Sequence, residues 1–419
     1  MGRVVVLGAG VVGVATAWLL CRAGYPVTLV DRHAGPAQGT SQANGAQLSY
    51  AYADALASPA MRRKLPAIAL GRDPAFRVRL QADPEFWLWG LRFLLEASQG
   101  RFLGNTRHLL DMAARSRELL QELLRELPLS FDHAVSGKMI LYDSAVACDA
   151  AADVRALKRQ MGIEQWALSR AEATAIEPAL DLYPDRIERV LYSPADAAGR
   201  PDTFCRALVA ALRSRFGLVT LFGQEATGIV QERGQVVGLA LHGREPVTCG
   251  QLVLATGSAT SLLPWCERPW GQLWPVQGYS ITAPATTRAM QVSITDLKRK
   301  IVFARLGSDV RAAGLADLGA RKCQFDGSRF DTFRQSAVQA FGPAFDHGPG
   351  VDLQAWTGAR PCTPSSRPIV RAAGRVRGLY LNLGHGTLGW TLCLGSAQRL
   401  LEVMKLSAPS GREVAPRDH

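Results

Sequence analysis

Gly8, Gly10 and Gly13 stand at G-x-G-x-x-G spacing, and Asp31 closes an apolar run further on. Glycines so spaced can cradle a diphosphate. The first permits a tight turn. The second lets backbone approach the phosphates, and the third lets a helix pack close to a strand. A carboxylate about 20 positions later can accept hydrogen bonds from ribose hydroxyls. This is the chemistry of dinucleotide binding.

Those residues need a strand, a turn, a helix and a second strand to hold them. "RVVVLG" is a β-branched run suited to a strand buried on both faces. "VVGVATAWLLCRAG" reads as a helix ending near Gly24, and "PVTLVD" as a second buried strand ending at Asp31. The diphosphate would sit on the free N–H groups at the helix start. Residues 4–21 carry no charge and follow Met-Gly-Arg, which also sketches a secretory signal or a short membrane span. The glycine spacing and the second strand favour the nucleotide fold.

The chain has 419 residues, 47% hydrophobic and 20% charged, which suits a globular protein of two domains. The net charge of +12 raises encounter rates with anionic partners. It is scattered, with "MRRK" and "LKRK" as short clusters, and no nucleic-acid-binding signature accompanies it. The 8 cysteines form no C-x-x-C pair, which argues against a metal or iron–sulfur site. They read as reduced thiols of a cytoplasmic protein.

After the βαβ unit comes a small-residue loop, "GPAQGTSQANGAQLSYAY". Residues 58–105 read as irregular, broken by Pro59, Pro66, Pro74 and Pro84. Residues 106–127 show helical spacing of apolar positions. Ser169 with Glu172 forms a capping-box pattern, and Asp202 reads as the cap of a helix over "DTFCRALVAALRSRFG". Alternating strands follow in the middle of the chain, "VQGYSITA", "RKIVFARLG" and "VRAAGLADL". The expected fold is α/β: a discontinuous nucleotide-binding domain (1–50, 193–268 and 355–410) and an inserted α+β substrate domain on an antiparallel sheet (51–192 and 269–354). A flexible tail is expected at 411–419.

Three stations line up: Gly8 to Asp31, Ala255-Thr256-Gly257, and Gly384-His385-Gly386-Thr387-Leu388-Gly389. With "TSQANGAQLSY", "WPVQGYS" and "WTGARPCTP", this layout resembles the flavoprotein family of D-amino acid oxidase, glycine oxidase and the bacterial D-amino acid dehydrogenases. The resemblance covers nearly the whole chain and is nearest to the flavin-bearing subunit of the dehydrogenases. Ser365-Ser366 and the stretch around Arg305 depart from the dehydrogenase pattern.

The resemblance implies FAD. Gly8, Ala9, Gly10, Val11, Val12 and Gly13 would hold its diphosphate, and Asp31, flanked by Arg32, the adenosine ribose. Thr40, Ser41, Asn44, Gly45, Gln47 and Leu48 would line the ribityl chain and flavin ring. Ile229 would approach the adenine, and Ala255, Thr256 and Gly257 would pack against the diphosphate. Gly386, Thr387, Leu388 and Gly389 would aim N–H groups at the flavin pyrimidine edge, where negative charge gathers.

Arg360 is the implied grip on the substrate carboxylate, a planar and permanently charged fork. Tyr279 is a second candidate, as a carboxylate contact or pocket wall, against a reading as a core tyrosine. His385 could act as a base or flavin link, but its setting favours a structural role. Tyr50, Tyr52 and Arg305 are further pocket-lining candidates.

The implied activity is FAD-dependent oxidative deamination of D-amino acids to 2-oxo acids and ammonia. Hydride would pass to flavin N5 and electrons to a quinone or other acceptor. Alternatives are a dehydrogenase or oxidase of secondary amino acids such as D-proline, D-hydroxyproline or sarcosine, and a flavin-binding redox subunit inactive alone. An oligomer is allowed. The aromatic, leucine-rich stretch from Pro84 to Ser98 lies among arginines and suits an interfacial segment on anionic lipid, and the resemblance to the dehydrogenases implies weak peripheral contact at the cytoplasmic membrane face. The competing reading is a buried helix.

Overall fold

The first strand shows how the core is built. In Val4–Leu7, Val4 and Val6 join a cluster with the helices Val11–Arg22, Gln99–Glu126, Pro201–Phe216 and Gly389–Ser407. Val5 and Leu7 point the other way, into a cluster with Val236, Leu239 and Leu241. Side chains alternate across a strand, so an all-apolar strand is one covered on both faces. The computed structural model describes residues 2–407 except 347, 349 and 352, so the tail expected at 411–419 lies outside the described residues.

A six-stranded sheet runs in the order Ile369–Ala372, Leu379–Leu383, Gln251–Leu254, Val4–Leu7, Val27–Val30, Val219–Leu221. All its pairings are parallel except that of the first two strands. An antiparallel three-stranded sheet, Ala226–Glu232, Gln235–Leu241 and Arg244–Thr248, covers one face. Helices cover the other.

A nine-stranded sheet holds Gln354–Cys362, Trp274–Pro284, Asp309–Leu318, Ile301–Leu306, Ser293–Asp296, Lys138–Tyr142, Arg189–Ser193 and Trp166–Leu168 in that order. Phe76–Val78 adds beside Asp309–Leu318. Gln354–Cys362 therefore belongs by its ladder with Trp274–Pro284 to this large sheet. A nucleotide-binding segment beginning at 355 starts one strand too early.

Two local expectations change. Residues 58–105 are not irregular: they contain the helices Pro59–Ala69 and Pro84–Glu96 and the start of Gln99–Glu126. Pro59 and Pro84 occupy first-turn positions, where a missing N–H costs nothing. Ser58 and Asp83 cap these helices through Met61 N and Glu85 N. Asp202 is not a cap: Arg200 holds that position and Pro201 starts the helix. Asp202 pairs instead with Arg206 one turn on, at 2.8 Å. Ser169 and Glu172 do form the capping box.

Helix Pro84–Glu96 buries Phe86 and Trp89 against Trp274 and Cys362. Trp87, Leu91, Leu94 and Leu95 face outward, between 43% and 56% exposed. Among the described residues, no helix is long and apolar enough to cross a membrane.

Candidate active site

The glycine turn is built from backbone alone. Gly8 has φ +105°, and a Cβ there would lie 2.4 Å from the carbonyl oxygen of Ala255. A Cβ on Gly13 would lie 1.7 Å from the Gly8 carbonyl oxygen. Only glycine allows the turn, the helix and the Ala255-Thr256-Gly257 turn to meet this closely. Helix Val11–Arg22 starts beside them without a side-chain cap at Gly10. Its Val11 N–H donates to Ser41 Oγ at 3.1 Å, while Val12 is part-buried.

Asp31 accepts from Ala9 N–H at 2.7 Å and from His33 N–H at 2.9 Å. The carboxylate is thus fixed at the strand end beside the glycine turn. The His33 ring Nδ1 also lies 2.9 Å from Asp31 Oδ1; a carboxylate offers about four acceptor positions, which leaves room for a ribose hydroxyl. Arg32 next to it is exposed. The later strand comes to this turn through Gly223 N–H on His33 O at 2.7 Å and Gln224 N–H on Asp31 O at 3.0 Å. Ile229 lies further along, paired with Leu239 and packed on the three-stranded sheet's core. Residues near 224, not Ile229, border the Asp31 turn.

The loop through residues 40–49 is laid across the large sheet. Thr40 Oγ1 donates to Ala359 O at 2.7 Å, and Ser280 Oγ to Ala43 O at 2.6 Å. Asn44 Oδ1 accepts from Ala46 N–H at 2.9 Å, an Asx turn that supports Ala46 at φ +58°. Gly45 lies against Val302 and Ala313. Gln47 Nε2 donates to Phe303 O at 3.0 Å, and Leu48 is buried. Ser49 N–H donates to Thr391 Oγ1 at 3.0 Å, tying the loop to the C-terminal helix.

That helix follows strand Leu379–Leu383 through a tight turn, Gly386–Leu388, and begins at Gly389. Gly386, Thr387, Leu388 and Gly389 therefore stand at a helix N-terminus, which favours negative charge. His385 is 3% exposed, with Nε2 at 2.8 Å from Ser396 Oγ. Burial pushes its imidazole down to about 3, so the ring is neutral and structural.

Arg360 and Tyr279 lie on opposite faces of the large sheet. Arg360 pairs with Val276, which puts it on the face of Gly278 and Ser280. This is the face that meets the 40–49 loop. Arg360 donates to the carbonyls of Leu315 at 2.6 Å and Gly314 at 3.1 Å. A bulge opposite Gly278, with Leu315 at φ +58°, turns these carbonyls toward it. Among the described residues, no carboxylate forms an ion pair with Arg360. Tyr279 points away, 1% exposed among Ile281, Phe333 and Phe341, its hydroxyl accepting from Gln277 Nε2 at 3.1 Å. It is a core tyrosine and does not meet Arg360.

A cavity of about 410 Å³ opens on Tyr279's side, lined by Gln277, Asp317, Arg77 and Phe325. Its carboxylates are already paired with Arg77 and Arg329, and it lies on the face opposite the 40–49 loop. A smaller hollow lies by Cys362, Thr363, Ser366 and residues 385–388. Asp54 lines it, a residue not singled out from the sequence, and is ion-paired with Lys158 at 2.8 Å.

The family of FAD-dependent oxidoreductases known as DAO matches residues 3–403. The chain belongs to this family. A D-amino acid dehydrogenase 2 of Ralstonia nicotianae is 36% identical over 416 residues, 97% of each chain. One of Pseudomonas aeruginosa is 37% identical over 421 residues, 97% of this chain and 96% of the relative. Among solved structures, glycine oxidase from Geobacillus kaustophilus matches with TM-score 0.72 and 16% identity, covering 99% of this chain and 98% of its own. L-proline dehydrogenase from P. horikoshii matches at TM-score 0.69 and 14% identity, covering 96% and 93%.

The residues present fit the DAO-family cofactor. At Gly10 the turn carries no Cβ, and the side-chain atom nearest to where one would stand is the Ser41 hydroxyl at 3.1 Å, so backbone and a hydroxyl border the place for a diphosphate. Ser293 Oγ and Thr295 Oγ1 are buried without partners on the sheet face that meets the loop, polar atoms that await a ligand or water. Among the described residues, no group of histidine, cysteine and carboxylate side chains could hold a metal.

Proposed function

We propose that the protein dehydrogenates D-amino acids to 2-oxo acids and ammonia, passing electrons to a quinone or similar acceptor. The observation that carries this is Arg360: a guanidinium on the face that meets the 40–49 loop, whose hydrogen-bond partners among the described residues are backbone carbonyls. A permanent charge left without a carboxylate suits a substrate that brings one. The curated relatives named D-amino acid dehydrogenase support the substrate class.

Bound FAD supplies the hydride acceptor. The turn from Gly8 to Gly13 holds the diphosphate and Asp31 the adenosine ribose. Thr40, Ser41, Asn44, Gly45, Gln47 and Leu48 line the ribityl chain and ring. The N–H groups from Gly386 to Gly389 oppose negative charge on the pyrimidine edge. Arg360 binds and orients the carboxylate, so that most of the barrier reduction comes from positioning. No side-chain base is required where the substrate reacts as its free amine, and activity should then rise toward alkaline pH.

The six- and three-stranded sheets form the FAD-binding part and the nine-stranded sheet the substrate part, with Gln354–Cys362 assigned to the latter. We also infer peripheral contact with the cytoplasmic membrane face. Trp87, Leu91, Leu94 and Leu95 form an outward apolar stripe, and Arg62, Arg63 and Lys64 are exposed on the neighbouring helix in sequence. Trp89 Nε1 donates to Cys362 O at 2.9 Å, so this helix abuts the strand that carries Arg360. A panel of D-, L- and N-substituted amino acids with a dye acceptor tests the substrate class. Turnover of D-amino acids is expected, and turnover confined to secondary amines would overturn it.

A further inference from the structure

Beyond the flavin loop, residues 49–54 run through a nest of buried charges. Lys138, 3% exposed, donates to Ser49 Oγ at 2.7 Å. Asp196, 1% exposed, accepts from Ala51 N–H at 2.8 Å, and its other oxygen has no partner. Lys158, 3% exposed, pairs with Asp54. The Tyr52 ring lies 4.7 Å from the Lys138 ammonium and 5.3 Å from that of Lys158.

The nest touches the cofactor machinery at two points. Ser49 lies two positions after Gln47, and its N–H holds Thr391 in the first turn of helix Gly389–Ser407. Lys138 pairs in register with Ser293, on the sheet face that meets the flavin loop. Removing such ions from water is costly, so packing alone does not favour them. Burial pushes Lys138 down to about 8 and Asp196 up to about 6, both against their charged forms. Strained buried charges of this kind gather at functional sites. Here they grip a hydroxyl and a backbone N–H of one segment and so fix its position.

We propose that Lys138 and Asp196 are a positioning pair that fixes residues 47–51 against the bound flavin, with the Lys138 ammonium adding positive charge beside it. The proposal rests on FAD binding and is independent of the substrate.

The test compares Lys138→Met, Asp196→Asn and the double variant, with FAD titrated into apoprotein and the flavin midpoint potential measured on each holoprotein. Each single change leaves the other buried charge without its main counter-charge and should weaken FAD binding about tenfold or more. The double variant removes both charges and should return to within about threefold of wild type. The potential should become more negative in Lys138→Met, a readout that misfolding would not produce. Ser49→Ala keeps every charge and removes only the contact. It should weaken FAD binding severalfold, and serves if a charge variant does not fold. Single variants within twofold of wild type, additive losses in the double variant, or an unmoved potential in Lys138→Met would overturn the proposal.

Discussion

Arg360 fills the space beside Gly278: a Cβ on that glycine would lie 2.1 Å from Nη2 of the guanidinium. On the proposed reading, the glycine supports the substrate site without touching substrate. Gly278→Ala should displace the guanidinium by about an ångström and cost about a hundredfold in kcat/KM. Flavin content should stay normal. Steady-state kinetics on the flavin-loaded variant decides it, and unchanged kinetics would separate Arg360 from the site.

Arg360→Lys keeps the charge and loses the two-pronged grip. Substrate KM should rise by about tenfold to a hundredfold while FAD content is unchanged. An unaltered KM would mean that the carboxylate binds elsewhere.

FAD should be held without a covalent bond. Cys362 is buried and its thiol is pushed up to about 12 by burial, so it supplies no thiolate for a link. His385 has its Nε2 engaged by Ser396. Acid precipitation should leave yellow flavin in the supernatant, and colour confined to the pellet would refute this.

His385 gives a signed pH prediction. Its imidazole is held near 3 in the fold against an ordinary 6.5, so folding disfavours the charged form. Its stability contribution is full above pH 6.5 and is lost as pH falls from there toward 3, with a slope of up to about 1.4 kcal/mol per pH unit. His385→Gln retains a donor for Ser396 and should flatten that acid limb in pH-dependent denaturant melts. A slope identical to wild type would show that His385 titrates elsewhere.

The apolar stripe on helix Pro84–Glu96 carries the membrane proposal. Replacing Trp87, Leu91 and Leu95 together with serine should reduce co-sedimentation with anionic vesicles at low salt by about tenfold, since each removes exposed apolar area. Wild type that fails to pellet at low salt would end the proposal.

The βαβ unit was legible because its residue types answer local demands. Gly8 and Gly13 meet backbone, and Val4 to Leu7 are buried on both sides. Tyr279 was not legible. Its face depends on strand register across Gly278 and Leu315, and a shift of one residue swaps faces. Ile229 was displaced for a similar reason, since the crossing at Gln224 is fixed by tertiary hydrogen bonds to the Asp31 turn. Lys138 and Asp196 lie far apart in the chain, and only folding gathers them around residues 49–54. The helices at Pro59 and Pro84 were hidden by prolines, which disfavour a helix interior but start one at its first turn; Pro66 nevertheless lies inside Pro59–Ala69.

The central claim is that Arg360 and the flavin loop make a site for D-amino acid oxidation. The most direct measurement is anaerobic mixing of the flavin-loaded protein with D- and L-amino acids, following the visible absorbance of the flavin. The account predicts rapid bleaching by D-amino acids, none by their L-enantiomers, and reoxidation faster with a quinone than with air. Flavin that stays oxidised with every D-amino acid would contradict it.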